Sequence, residues 1–145
     1  MRFSEIDEAG WAELQPFLDT CLLPISGLTG GETPAEATEL AAKTGDWLAP
    51  LEQAFTGRTV TVPAFHYYSG DVDDKQRLNR LCGQLKKLGY RYVIVVCGRP
   101  NGFADVSADL IIQPVREDEL PDEQRLRKEI ADLWRRGSSE SLKEL

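Results

Sequence analysis

Few side chains in this 145-residue chain are suited to chemistry, and most of them gather in three short stretches. The only histidine, His66, stands among aromatics in Phe65-His66-Tyr67-Tyr68. Of the cysteines Cys21, Cys82 and Cys97, the last closes the apolar run Val93-Ile94-Val95-Val96. A thiolate–imidazole pair of Cys97 and His66 would support nucleophilic catalysis, given hydrogen-bond reach and an activated thiol. The opposing reading is that a cysteine completing a buried strand is simply a small apolar residue. A zinc site needs a set of Cys and His ligands at defined spacing. One histidine and scattered cysteines supply none, so neither a metal nor a cofactor is expected.

Anion binding is the second chemistry. Ser26-Gly27-Leu28-Thr29-Gly30-Gly31 precedes a helix start, and such loops turn backbone N–H groups and a positive dipole end toward an anion. Gly30 and Gly31 are the candidates. The stretch matches neither the dinucleotide fingerprint nor the phosphate loop with its Lys-Ser/Thr ending, and Glu32 sits where it would repel a phosphate. Turn chemistry alone explains these glycines. Arg99, in Gly98-Arg99-Pro100-Asn101-Gly102, can fork onto a carboxylate or phosphate. Otherwise it pairs with Asp105 or Asp71 to order its loop. Tyr67 and Tyr68 can stack a planar ligand, receive a partner's loop, or cover a sheet edge. Asp71, Asp73 and Asp74 sit in the first turn of a helix, where carboxylates serve as cap and dipole partners.

These stretches are positioned by alternating strands and helices. Val93 to Val96 is apolar on both strand faces, which requires helices on both sides of a mostly parallel sheet. Before it, Leu78, Leu81, Cys82, Leu85 and Leu88 form one helical stripe ended by Gly89. Ser4 is read as the cap of a first helix, with Asp7 following, and Pro16 argues for a kink or early end. Thr20 to Ile25 is a strand candidate weakened by Pro24. Thr33, Pro34 and Glu36 make a capping box at the start of a helix that Gly45-Asp46 can divide. Arg58 to Val62 and Leu110 to Gln113 complete the strands. Pro121 opens a last helix ended by Gly137.

The expected fold is therefore a three-layer α/β domain over residues 1–137, with about four mostly parallel strands ordered 2-1-3-4 and helices on both faces. This is a doubly wound arrangement of the Rossmann or flavodoxin kind. The stretch 98–109 is short for a helical crossover, so the last strand either follows a single helical turn or runs antiparallel. The polar residues 138–145 are expected to fray. Such sheets place ligands at the carboxyl ends of their strands. The site residues expected there are Gly30, Gly31, His66, Tyr67, Tyr68, Cys97, Arg99, Asn101 and Asp105.

Charge narrows the partners. The net charge is −7, distributed as −8 over residues 1–57, +3 over 58–115 and −2 beyond. No basic surface dominates, so nucleic acid is not an expected partner. Lys86, Lys87 and Arg91 cluster at a helix end, where cations complement the dipole. No apolar run approaches the roughly 20 residues that span a bilayer. The N-terminus turns acidic at once, unlike a signal or transit peptide. Buried free thiols and a cytoplasmic location are the expectation.

Arg2-Phe3-Ser4 leading into a helix, Leu18-Asp19-Thr20-Cys21-Leu22-Leu23-Pro24, and a strand ending in Val62-Pro63-Ala64-Phe65 resemble the YpiF-like proteins of Gram-positive, spore-forming bacteria. The resemblance runs through roughly the last strand. It implies a small cytosolic α/β protein and supplies no catalytic residues, because that family is itself uncharacterised. Two functions remain. One is a non-catalytic module that binds a protein partner or a second copy through an aromatic and acidic surface. The other is an enzyme or binding protein for a small phosphate- or carboxylate-bearing metabolite, held by loops 26–33 and 98–105.

Overall fold

A computed structural model describes residues 1–143 of the chain, and the side chains of residues 1–139. After a 3-10 turn at Phe3–Glu5, the elements are α1 (Glu8–Leu14), β1 (Thr20–Ile25), α2 (Pro34–Ala54) and β2 (Thr59–Thr61). There follow α3 (Val72–Leu88), β3 (Tyr92–Cys97), β4 (Leu110–Ile112) and α4 (Glu123–Lys143). The strands form one sheet in the order β2-β1-β3-β4, and every pairing is parallel.

Alternation along the strands sorts the core into two layers. Cys21, Leu23, Ile25, Val93, Val95 and Cys97 pack against Leu78, Cys82 and Leu85 of α3, with Trp11 and Leu14 of α1 beside them. Leu22, Ile94, Val96 and Ile112 meet Trp47, Leu48 and Leu51 of α2 and Leu126, Ile130 and Leu133 of α4. Both faces of the sheet are thus covered, as a run of consecutive apolar residues requires.

Pro24 lies inside this central strand without cost to the ladder. Even-numbered residues of β1 turn their peptide groups toward β2: Thr20 N–H donates to Arg58 O at 3.3 Å, and Pro24 O accepts from Phe65 N–H at 2.8 Å. β2 ends at Thr61, opposite Leu22. The N–H that proline lacks would therefore have no β2 residue to meet. The outer side of β2 is covered in turn by the chain's first residues, since Thr61 N–H donates to Met1 O at 2.7 Å.

Several local expectations change. Asp7, not Ser4, caps α1 by accepting from Gly10 N–H, and α1 stops at Leu14, ahead of Pro16. Gly45-Asp46 does not divide α2, which runs unbroken for 21 residues and even includes Pro50. Its start does follow the capping box of Thr33 and Glu36. The link from β3 to β4 contains no helix, yet β4 pairs parallel to β3.

The largest change is at Gly137. α4 continues past it to Lys143, and residues 144–145 of the tail expected to fray lie outside the described residues. The glycine is there for close approach, because a Cβ at this position would overlap the Tyr92 hydroxyl.

Gly98 is a second point of close approach. A Cβ there would lie 2.5 Å from the backbone of Lys43 and Thr44 in α2, and no backbone can yield that much. By contrast, a Cβ on Gly83 in α3 meets nothing within 4 Å. Urea denaturation of the two alanine variants tests this packing. Gly98→Ala should lower stability by about 2 kcal/mol or more through overpacking. Gly83→Ala should raise it by about 0.5–1 kcal/mol, because alanine loses less freedom in a helix.

Candidate functional site

The order β2-β1-β3-β4 means that the chain leaves β1 and β3, the two central neighbours, in opposite directions across the sheet. A crevice opens at their carboxyl ends, the place where such sheets hold ligands. The loops after all four strands surround it. α2 borders it closely, with Thr44 Oγ1 donating to Ile25 O at 3.3 Å.

The glycine loop satisfies its own donors. Thr29 N–H, Thr29 Oγ1 and Gly30 N–H donate to the Glu32 carboxylate at 2.8, 2.7 and 2.9 Å. Gly31 N–H turns to Thr29 Oγ1 at 3.4 Å. The Thr29 hydroxyl, then the backbone N–H groups, pull the Glu32 carboxyl down to about 2. An internal carboxylate already occupies the place an anion would take.

His66 and Tyr67 lie beside this loop and are exposed. His66 Nδ1 is 2.8 Å from the hydroxyl of buried Ser26. Cys97 is wholly buried in the core layer against α3. Burial pushes its thiol up, opposed in part by the Arg99 and Gly98 backbone N–H groups. An activated thiolate needs the opposite shift, so the imagined pair lacks its nucleophile.

Arg99 lays its stem across Gly27, where a Cβ would come 2.9 Å from Arg99 Cδ. Its guanidinium pairs with Glu117 at 3.1 Å, not with Asp105 or Asp71. Asp71 is the cap of α3. The remaining expected site residues separate from this group. Tyr68 is buried and stacks on Phe103 with ring centroids 5.1 Å apart, and its hydroxyl donates to Gly102 O. Asn101 orders the same turn, its backbone N–H donating to Gln113 Oε1 at 2.8 Å. Asp105 faces α3, where its carbonyl accepts from Asn79 Nδ2 at 3.0 Å. Gly30, Gly31, His66, Tyr67 and Arg99 therefore rim the crevice, while Tyr68, Asn101 and Asp105 are parts of its frame.

Lys43, Glu117 and Asp118 belong to the site and are absent from the residues expected above. Lys43 reaches Asp118 at 2.7 Å and Glu39 at 3.7 Å. Two hollows flank this bridge. One, of about 360 Å³, is lined by Thr29, Glu32, Glu36, Leu40, Arg99 and Glu117, besides Glu39 and Lys43. The other, of about 380 Å³, shares Glu39 and Lys43 and runs between Asp46 and Trp47 on one side and Glu119, Leu120 and Pro121 on the other. The acidic triplet Glu117-Asp118-Glu119, in the loop after the last strand, was the available signal.

Two members of the basic cluster seen in the sequence are engaged elsewhere: Lys86 pairs with Asp109 at 2.9 Å and Arg91 donates to Gly137 O at 2.7 Å. No helix among the described residues is long and apolar enough to cross a membrane.

The family model for DUF2487 matches residues 10–104, from α1 through β3 and into the following loop. The chain belongs to that family. DUF2487 is a family of proteins of unknown function, so membership assigns no reaction. Neither a curated protein nor a solved structure matches the chain.

Two measurements check this geometry. Because the Glu32 carboxyl is held down in the folded state, its contribution is complete above the ordinary glutamate value of 4.5 and fades as pH falls toward about 2. The stability–pH profile of Glu32→Gln should therefore be flatter than that of the unaltered protein across that window. Iodoacetamide at neutral pH should leave Cys21, Cys82 and Cys97 unmodified in the native protein, since all three are buried, and modify them all after unfolding. Rapid native labelling of Cys97 would contradict the buried, unactivated thiol.

Proposed function

We propose that this DUF2487 protein is a non-catalytic interaction module that docks a partner protein at the carboxyl end of its sheet. One observation carries the reading: the cations and loop amides there are neutralised from within, while carboxylates and apolar side chains are left facing solvent. Glu32 takes the loop amides, Glu117 takes Arg99 and Asp118 takes Lys43. Tyr67, Val72, Val115 and Leu120 are exposed at the same end, the last two at 81%. Apolar points set among carboxylates suit a partner segment that carries basic and apolar residues. A cytoplasmic location accords with the three unpaired cysteines. Narrower kinship with YpiF-like proteins of spore-forming bacteria is proposed on the N-terminal, β1 and Val62-Pro63-Ala64-Phe65 motifs alone.

The test is partner capture by the unaltered protein, identification of the captured protein, and direct binding by Leu120→Asp and Val115→Asp. Both variants should fold and bind at least tenfold more weakly. Equal binding by both, or a strictly monomeric protein that captures nothing, would overturn the reading.

The second reading is a small-metabolite site, favoured by a hollow of ligand size beside Arg99. An anion would have to displace Glu117 from Arg99. A native mass spectrum showing a few hundred daltons lost on denaturation, and absent in Arg99→Ala, would select it.

A further inference from the structure

Residues 113–122 join β4 to α4 without regular secondary structure. They form a strap across the crevice, and its apex, residues 115–118, is exposed. Val115 N–H donates to Glu119 Oε2 at 3.1 Å and Glu119 N–H to Arg116 O at 3.4 Å, so the strap folds back on itself. Its apex is tied to the rest of the molecule by Asp118 on Lys43 and Glu117 on Arg99. Asp118 adopts a positive φ of 62°, a conformation that asparagine and aspartate tolerate better than other side chains.

The Lys43 side chain stands between the two hollows, since it and Glu39 line both. We infer that the Lys43–Asp118 pair is a latch. Closed, it divides the surface along α2 into two hollows too short for a polypeptide. Open, it joins them into one trough running from Glu32 to Trp47, able to seat an extended segment. The inference rests on the interaction reading, because the trough borders the docking surface proposed there and shares Leu120 with it, and it adds how access to that surface is controlled. The latch is ionic and open to solvent on its Asp118 side, that side chain being 78% accessible and Lys43 24%. Such a pair is weak and screened by salt, so the strap should open readily and respond to ionic strength or to charged groups on an approaching partner.

Arg116, exposed in the strap, reports on opening through trypsin cleavage, which follows the open population when opening is fast. Asp118→Asn removes the charge and keeps the backbone preference. Lys43→Met removes the cation and keeps most of the stem. Each should raise cleavage after Arg116 by about two- to fivefold, the range an exposed ion pair supports. High salt should do the same to the unaltered protein and add less to either variant, where only the Glu117–Arg99 pair is left to screen. Cleavage after Arg80, exposed on α3, should not change, which separates strap opening from general unfolding. Hydrogen exchange should show the same gain at the amides of residues 115–120. Unchanged cleavage and exchange in both variants, or a parallel rise at Arg80, would overturn the latch. None of these measurements needs a partner, so a failed capture experiment with a salt-sensitive strap would sink the docking role and leave the latch standing.

Discussion

β1 and β3 pair along six residues each, and every side chain on both strands is buried. A two-stranded ribbon with no solvent face has only one stable setting, with helices over both sides. The rest of the molecule follows from meeting that demand. α2 and α4 close one face, α1 and α3 the other, and the edge strands are three residues each. Covering the ribbon closely also dictates where side chains must be absent. α2 comes so near the end of β3 that position 98 has no room for a Cβ, and α4 lies so near Tyr92 that position 137 has none.

The same ribbon sets the end of the sheet at which the loops meet. Because its strands are parallel and central, the loops leaving both arrive together, and the loops after β2 and β4 close in from either side. What gathers there is a balance of charge. Glu32 fills a loop that might otherwise hold an anion, and the two cations bordering the crevice are each met by a carboxylate of the strap. At the opposite end of the sheet, Arg58 grips Asp19 through two bonds of 2.9 and 3.1 Å and lies 3.9 Å over the Trp134 ring. That cluster pins strand starts to α4 and reads as structural support.

Much of this was legible in advance where the physics is local. The stripe from Leu78 to Leu85, the capping box at Thr33 and the apolar run before Cys97 each state their own structure, because helical period, cap chemistry and two-sided burial act over a few residues. Strand order 2-1-3-4 also followed from alternation and the habits of crossovers. Misreadings occurred where a residue serves a distant neighbour. Gly137 looks like a helix stop and is a contact point for Tyr92 of β3. Pro24 looks like an edge residue and sits in a central strand, because β2 ends before reaching it. Of the nine candidate site residues, those that only frame the crevice could not be told from those that rim it.

By itself, then, the sequence determined the parallel α/β sandwich, the burial of its cysteines and the end of the sheet at which loops would meet. Only tertiary structure decided the charge pairing at that end. Lys43 and Asp118 are 75 residues apart, and Arg99 faces Glu117 rather than Asp105 or Asp71. Local sequence specifies backbone form through steric and hydrogen-bonding preferences of near neighbours. Which cation meets which carboxylate depends on the distance between loops, and that distance exists only after the sheet has brought them together.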